Sequence, residues 1–275
     1  MLVWRKLSSQ KWLDSWEERL AFLGSERLVV TQIAQTKRIR LEVFDISKDE
    51  SKLLLKQFTG EIRDLNHSTV NWVRNVVQKR PISIRNRLKI VNGEPDPSKR
   101  SDPKAIYIPA NLAFGTGEHA TTVGCLRLLA DIAPKSGLWT FLDAGTGTGI
   151  LGIVAVRLGA KRAIGFDFDQ TAIRIAKGNA RLNKIRNLEL FRADVLKYQP
   201  EELFDIVAAN LYSDLFCKAA SNLWGSLRPG GSMIISGVMR EQIEIVVQSV
   251  NNLSGKIRIL RIRGKWATLL VDKAL

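Results

Sequence analysis

Asp143-Ala144-Gly145-Thr146-Gly147-Thr148-Gly149 is a glycine-rich segment with three glycines at alternate positions. It stands between an apolar strand predicted over 138–143 and a helix predicted over 150–158. Glycines let the backbone turn sharply and approach a ligand, and the N-terminus of the following helix favours an anionic group. The spacing is G-x-G-x-G, not the G-x-G-x-x-G of dinucleotide folds, and no Lys-Ser or Lys-Thr follows as in a Walker loop. The loop therefore predicts a ligand site of a different kind at a strand-to-helix turn.

The sequence around this loop alternates between strand and helix patterns. Strands are predicted over 163–166, 188–192, 204–209 and 233–236, and helices over 170–182 and 213–227. This rhythm predicts an α/β fold with a Rossmann-like, doubly wound parallel sheet. The first 60 residues instead show strands over 28–33 and 39–44 and a helix around 53–55, an order that predicts a small α+β, ferredoxin-like domain.

Two acidic residues at strand ends add to the candidate ligand site. Asp167 comes 18 positions after Gly149, at the end of the next strand, where a carboxylate can accept hydrogen bonds from both ribose hydroxyls. Asp194 follows the third strand, where it either reads an adenine amine or caps a helix. These features fit an adenosine ligand without a pyrophosphate. S-adenosylmethionine is such a ligand, so the residues favour a methyltransferase over a degenerate dinucleotide site.

The positive net charge of the chain indicates a polyanionic partner. A contribution to solubility alone is the competing interpretation. The 275 residues contain 42 Lys and Arg against 27 Asp and Glu, a net charge of +15. No acidic residue occurs between Asp64 and Glu94 or between Glu244 and Asp272, while cations cluster at 74–89 and 256–265. These two basic segments are candidate contact surfaces for RNA, although a solvated strand face explains some of their positions equally well.

Composition and local hydropathy exclude several classes of protein. No run approaches the roughly 18–20 apolar residues of a membrane helix, and the first residues lack the apolar run of a secretion signal. Two cysteines and two histidines, without paired spacing, argue against a disulfide scaffold and against a metal site. We therefore expect a cytoplasmic protein that contacts no membrane and binds no metal.

Residues 111–122, Asn-Leu-Ala-Phe-Gly-Thr-Gly-Glu-His-Ala-Thr-Thr, resemble the L-A-F-G-T-G-x-H-x-T-T signature of the methyltransferases that modify large-subunit ribosomal protein eleven. Residues 71–74, 208–211, 235–238 and 265–266 extend the resemblance over most of 70–275. It implies a class I, S-adenosylmethionine-dependent protein methyltransferase. Such enzymes transfer several methyl groups to lysine side chains and to the N-terminal α-amine of a ribosomal protein.

The resemblance also implies roles for particular residues. In such enzymes several positions hold S-adenosylmethionine, and the residues at those positions here are Thr122, Gly145, Asp167 and Asn210. Gly147, in the same loop as Gly145, is expected to contact the cofactor as well. Residues 114–119 are expected to close over the cofactor. Asn210 is the first candidate for a catalytic role, because its side chain can accept a hydrogen bond from a neutral, aligned amine. His119 is the second candidate, and a structural role in its loop is the competing interpretation.

The sequence departs from the family pattern after the strand-end asparagine. Leu211-Tyr212-Ser213-Asp214 replaces the usual Ile-Leu-Ala, and we expect Tyr212 and Asp214 to alter the acceptor pocket. The cofactor site is better supported by the motifs than the identity of the protein substrate.

The combined interpretation divides the chain into a substrate-recognition domain over 1–60, a basic linker over 61–108 and a methyltransferase domain over 109–275 that acts as a monomer. Two alternatives remain. A methyltransferase acting on RNA would explain the basic segments, although Asn210-Leu211-Tyr212-Ser213 lacks the prolines of an Asn-Pro-Pro-Tyr/Phe loop. A non-catalytic ribosome-binding module is the other, and the intact glycine loop and Asp167 argue against it.

Overall fold

A computed structural model of the chain describes residues 2–13, 16, 19–20, 23, 27–33, 36–64, 81–96, 98, 102–109, 119–135, 138–199 and 202–275. The chain divides into two compact units, Met1–Gln78 and Lys79–Leu275. Within the described ranges, no helix combines the length and the apolar character needed to cross a membrane.

The first unit is a small sheet domain with one described α-helix. Its four strands form an antiparallel sheet in the order β2-β3-β1-β4. Their bounds are Leu2–Ser9 (β1), Leu28–Gln32 (β2), Arg38–Ile46 (β3) and Glu61–Asp64 (β4), and the helix α1 is Lys48–Phe58. Helix α1 begins at a capping box in which Ser47 and Glu50 satisfy each other's backbone N–H groups. The strands predicted over 28–33 and 39–44 are confirmed, whereas β1 and β4 were not predicted.

The second unit is built on a seven-stranded sheet. Its strands are Thr140–Ala144 (β8), Arg162–Asp167 (β9), Leu188–Arg192 (β10), Phe204–Asn210 (β11), Leu227–Met239 (β12), Lys256–Arg263 (β13) and Trp266–Asp272 (β14). In the sheet they lie in the order β10-β9-β8-β11-β12-β14-β13. Strands β8 to β12 are parallel, which confirms the predicted doubly wound sheet, and the final hairpin joins it antiparallel. The order reverses between β9 and β11 on either side of β8, and open α/β sheets bind ligands at such a point.

Five helices accompany this sheet, and two were not predicted. They are Ala120–Ile132 (α2), Ile150–Arg157 (α3), Gln170–Leu182 (α4), Ser213–Gly225 (α5) and Ile243–Asn252 (α6). The predicted bounds of α4 agree with the structure at both ends, since Asp169 accepts the Thr171 N–H as an N-cap and the chain turns at Asn183. Helices α2 and α6 were missed, and α2 contributes Thr122 to the candidate site.

Within the segment expected to be a basic linker over 61–108, the described residues include several short strands. Besides β4 it contains Ile82–Ile84 (β5), Leu88–Val91 (β6) and Ala105–Tyr107 (β7), which form a three-stranded sheet. Apolar side chains of these strands are buried in the core of the second unit, among them Ile84, Ile90 and Ile106, and Lys89 is the one cation within the three strands. The strands themselves were not predicted, and the division of the chain with a linker over 61–108 stays a prediction.

Candidate active site

The glycine loop turns sharply between β8 and α3. Gly145, Gly147 and Gly149 have φ values of 73°, 53° and 80°, a left-handed conformation that residues with a Cβ rarely adopt. The N–H groups of Gly145 and Thr146 both donate to the Phe166 carbonyl on β9, at 2.9 Å. A Cβ on Gly145 would lie 2.5 Å from Cδ2 of Leu211, just after β11. The loop is therefore fitted against the ends of both neighbouring strands.

Asp143 holds the loop from beneath. Its Oδ2 accepts a hydrogen bond from the Thr146 hydroxyl at 2.6 Å and from the Gly152 N–H at 3.2 Å. Burial, helped by the neighbouring charge of Asp167, raises the pKa of this carboxyl to about 6, although the hydrogen bonds from Thr146 and Gly152 lower it. The motif contained Asp143, but nothing in the local pattern assigned it this organising role. The signal was an acidic residue closing an otherwise apolar strand.

Asp167 lies beside the glycine loop, as predicted. Its Oδ2 accepts the Gly147 N–H and its Oδ1 accepts the Asp169 N–H, both at 3.0 Å. An ionised carboxylate offers about four acceptor positions, so about two remain after these bonds. Two hydroxyl groups on adjacent carbons of a ribose match that remaining capacity.

Two of the predicted site residues have buried side-chain oxygen atoms without a hydrogen-bond partner in the described part of the chain. They are Oδ1 of Asn210, at the end of β11, and Oγ1 of Thr122, in the first turn of α2. The register places Ala209 opposite Ala144 at the start of the loop. A buried acceptor without a donor costs about 1–3 kcal/mol, so these atoms suit a polar ligand. Thr122, Asn210 and the glycine loop therefore fit a ligand with donor groups, as the amino-acid end of S-adenosylmethionine has.

His119 is the N-cap of α2. Its Nδ1 lies 2.7 Å from the Thr121 hydroxyl and accepts the Thr121 N–H at 3.4 Å, and its ring packs edge-to-face on Trp266 at 5.0 Å between centroids. Because the ring orients the start of the helix that carries Thr122, this geometry favours the structural interpretation of His119.

Asp194 is exposed and caps a turn rather than a helix. Its Oδ1 accepts the Leu196 N–H at 3.0 Å, and its carbonyl accepts from Lys197 and Tyr198. One carboxylate oxygen thus has a local structural partner. The adenine-reading role predicted for Asp194 stays a prediction.

The residues that depart from the family pattern lie at the start of α5. Tyr212 is 73% exposed and precedes the helix, and Asp214 is exposed in its first turn. Gly237 of β12 approaches so closely that a Cβ there would lie 2.3 Å from the Leu211 carbonyl oxygen. The backbone after Asn210 is therefore held in place by close packing, whereas the Tyr212 ring is exposed and available for contact with another molecule.

Some predicted features lie outside the described residues. These are the signature residues 111–118, including Phe114, and residues 71–74. Among the residues that the structure does describe, no three His, Cys, Asp or Glu side chains gather as metal ligands.

The chain is similar to proteins of one family. The family model for ribosomal protein L11 methyltransferase (PrmA) matches residues 4–274. A ribosomal protein L11 methyltransferase of Alkaliphilus oremlandii is 31% identical over 212 residues, covering 77% of this chain and 67% of that protein. Its counterpart in Heliobacterium modesticaldum is 36% identical over 176 residues, covering 64% and 55%.

A solved structure shows the same similarity. The crystal structure of ribosomal protein L11 methylase from Lactobacillus delbrueckii subsp. bulgaricus has a TM-score of 0.62 and 28% identity, and the match covers 71% of this chain and 99% of that one. The sequence matches to the two relatives above, by contrast, span only 67% and 55% of those proteins' length.

Proposed function

This chain belongs to the ribosomal protein L11 methyltransferase family and has the class I methyltransferase fold, and from that premise we propose that it methylates ribosomal protein L11 with S-adenosylmethionine as methyl donor. The proposed acceptors are lysine side chains and the N-terminal α-amine of that protein. The observation that carries the proposal is the Asp167 carboxylate, bound to the Gly147 N–H and retaining acceptor capacity beside the loop.

The residues present fit the cofactor. Asp167 accepts from the ribose hydroxyls, the loop of Gly145 and Gly147 admits the ligand against bare backbone, and Thr122 and Asn210 receive donors at their buried oxygens. Asp194 is proposed to meet the adenine amine with the acceptor capacity left by its turn. When bound, the cofactor supplies a methyl group activated by a sulfonium.

Positioning is the principal contribution of the protein to such a reaction. A lysine, with an ordinary pKa of about 10.4, reacts only after it loses a proton. The Asn210 amide oxygen accepts a hydrogen bond from a neutral amine and aligns it, and burial around it disfavours the ammonium form. His119 acts through α2 as a positioning residue, because its contacts with the Thr121 hydroxyl and N–H orient the start of that helix.

Partner and domain roles complete the proposal. The first unit is proposed to recognise the ribosomal protein, and the basic segments 74–89 and 256–265 to contact ribosomal RNA near it. The protein is proposed to act as a monomer. A ribosomal substrate places the reaction in the cytoplasm.

The test is to incubate the protein with methyl-labelled S-adenosylmethionine and ribosomes depleted of methylation, and to separate RNA from protein. Label in the protein L11 band is the expected result. Label in RNA would show an RNA methyltransferase, and cofactor binding without any transfer would show a non-catalytic module. Either of those results contradicts the proposal.

A further inference from the structure

A cavity of about 500 Å³ opens in the second unit between α2, the turn after β5 and the strand β13. Its charged lining is made of guanidinium groups that come from three separate elements, Arg85, Arg127, Arg261 and Arg263. The two basic segments of the sequence therefore meet at this cavity, since Arg85 belongs to the first and Arg261 and Arg263 to the second. Arg127 had no signal in the sequence, because it stands alone in an apolar helix.

The cavity is separate from the candidate cofactor site. Ala120, Val123, Gly124 and Arg127 line it from one face of α2. Residues three, four and seven apart share a face of a helix, whereas Thr122 lies about 200° around the axis from Ala120. A ligand in the cavity would therefore contact the face of α2 opposite the one that carries Thr122.

The cavity holds an excess of positive charge. Asp131 is the carboxylate bound to its arginines: it pairs with Arg85 at 2.7 Å and with Arg261 at 3.4 Å. Arg127 and Arg263 form no ion pair with any residue in the described ranges. Among the residues that the structure describes, four guanidinium groups against one carboxylate give the cavity a net charge of about +3 for a ligand to neutralise.

We propose that this cavity binds consecutive phosphates of a ribosomal RNA strand. The planar fork of each guanidinium matches phosphate oxygens, and all four cations here are arginine rather than lysine. Arg261 and Arg263 lie two residues apart on one strand, hence on one face and about 7 Å apart, so they can contact different phosphates. The choice of RNA over other polyanions rests on the proposed function, because a ribosomal protein substrate lies beside RNA.

The test measures binding of a fluorescent 12-nucleotide oligouridylate over a range of salt concentrations. Arg127→Gln/Arg263→Gln removes two cations that have no described ion pair, and Arg181→Gln/Arg186→Gln removes two exposed cations at the far end of α4 as a matched control. For single strands log K falls by about 0.7 per phosphate contact and decade of salt. The cavity variant loses two such contacts, so the slope of log K against log salt concentration is expected to be shallower by about 1.4. One decade below 1 M salt, at 0.1 M, the variant is therefore expected to bind about 25-fold more weakly.

Three results would overturn the inference: no binding by the wild type, an equal loss in the control variant, or equally effective competition by polyglutamate or inorganic phosphate. Either competitor would assign the cavity to an acidic protein or to a small anion. Methylation of free ribosomal protein L11 is measured in parallel and is expected to be unchanged in both variants. Failure of that reaction in the wild type would contradict the proposed function without touching the RNA result.

Discussion

Removal of the Asp167 carboxylate is the perturbation that probes the cofactor site most sharply. In the structure this group spends two acceptor positions on the N–H groups of Gly147 and Asp169, which leaves about two for a ligand. Hydrogen bonds to charged groups contribute about 1.5–3 kcal/mol each, and water recovers part of that in the variant. We therefore expect Asp167→Ala to cost about 2–4 kcal/mol of binding free energy, a rise in Kd of about 30- to 900-fold.

Isothermal titration calorimetry with S-adenosylmethionine measures this change. Asp167→Asn is expected to fall between wild type and Asp167→Ala, because an amide oxygen still accepts the Gly147 N–H but carries no charge. Asp169→Ala is the matched control: its carboxylate caps α4 through the Thr171 N–H, so it should lose about 1 kcal/mol of stability and keep its affinity within threefold. An affinity of Asp167→Ala within threefold of wild type would refute the assignment of the ribose site.

The remaining predictions concern the loop, the helix cap and the buried acid. Gly145→Ala should weaken cofactor binding at least tenfold by calorimetry, because its new Cβ would lie 2.5 Å from the Leu211 side chain in a left-handed backbone conformation. Gly178→Ala, in open space within α4, is the control and should keep the wild-type affinity. Equal affinities of the two variants would contradict the packing argument. His119→Ala should lower kcat without abolishing it, and His119→Asn, which restores an N-cap, should recover most of it; full activity of His119→Ala would exclude any role. Because the pKa of Asp143 is raised to about 6, the protonated carboxyl adds to the free energy of unfolding. This contribution is complete below about pH 4 and is lost as the pH rises through 6, where the buried carboxyl ionises. In urea unfolding, Asp143→Asn should therefore gain on the order of 2–3 kcal/mol relative to wild type between pH 4 and pH 7, and a constant difference would show that the carboxyl titrates normally.

Much of the parallel sheet was predictable because β8, β9 and β11 are short apolar runs that each lead into a helix, whereas β10 is followed directly by β11. The bounds of α4 could be predicted from Asp169, an N-cap residue, and from the apolar spacing that follows it. The sheet of β5 to β7 was harder to predict, because its strands are only three or four residues long, too short for the alternation of buried and exposed positions to stand out around Ile84, Leu88 and Ile90.

The candidate site was predicted in part. Its loop glycines and Asp167 follow from spacing alone, because a strand end and a helix start fix where their backbone lies. The role of Asp143 and the face of α2 that forms the arginine cavity depend on tertiary packing between distant segments, which no local pattern encodes. The net charge of +15 likewise indicated a polyanion but not the convergence of Arg85 with Arg261.

Whether this protein methylates ribosomal protein L11 can be measured by mass spectrometry of the purified substrate after incubation with the protein and S-adenosylmethionine. We expect added methyl groups on amines of the substrate with the wild-type chain, and at least tenfold less methylation with Asp167→Ala at a cofactor concentration near the wild-type Kd. An unmodified substrate with a wild-type chain that binds the cofactor, or equal methylation by the two chains, would contradict this expectation.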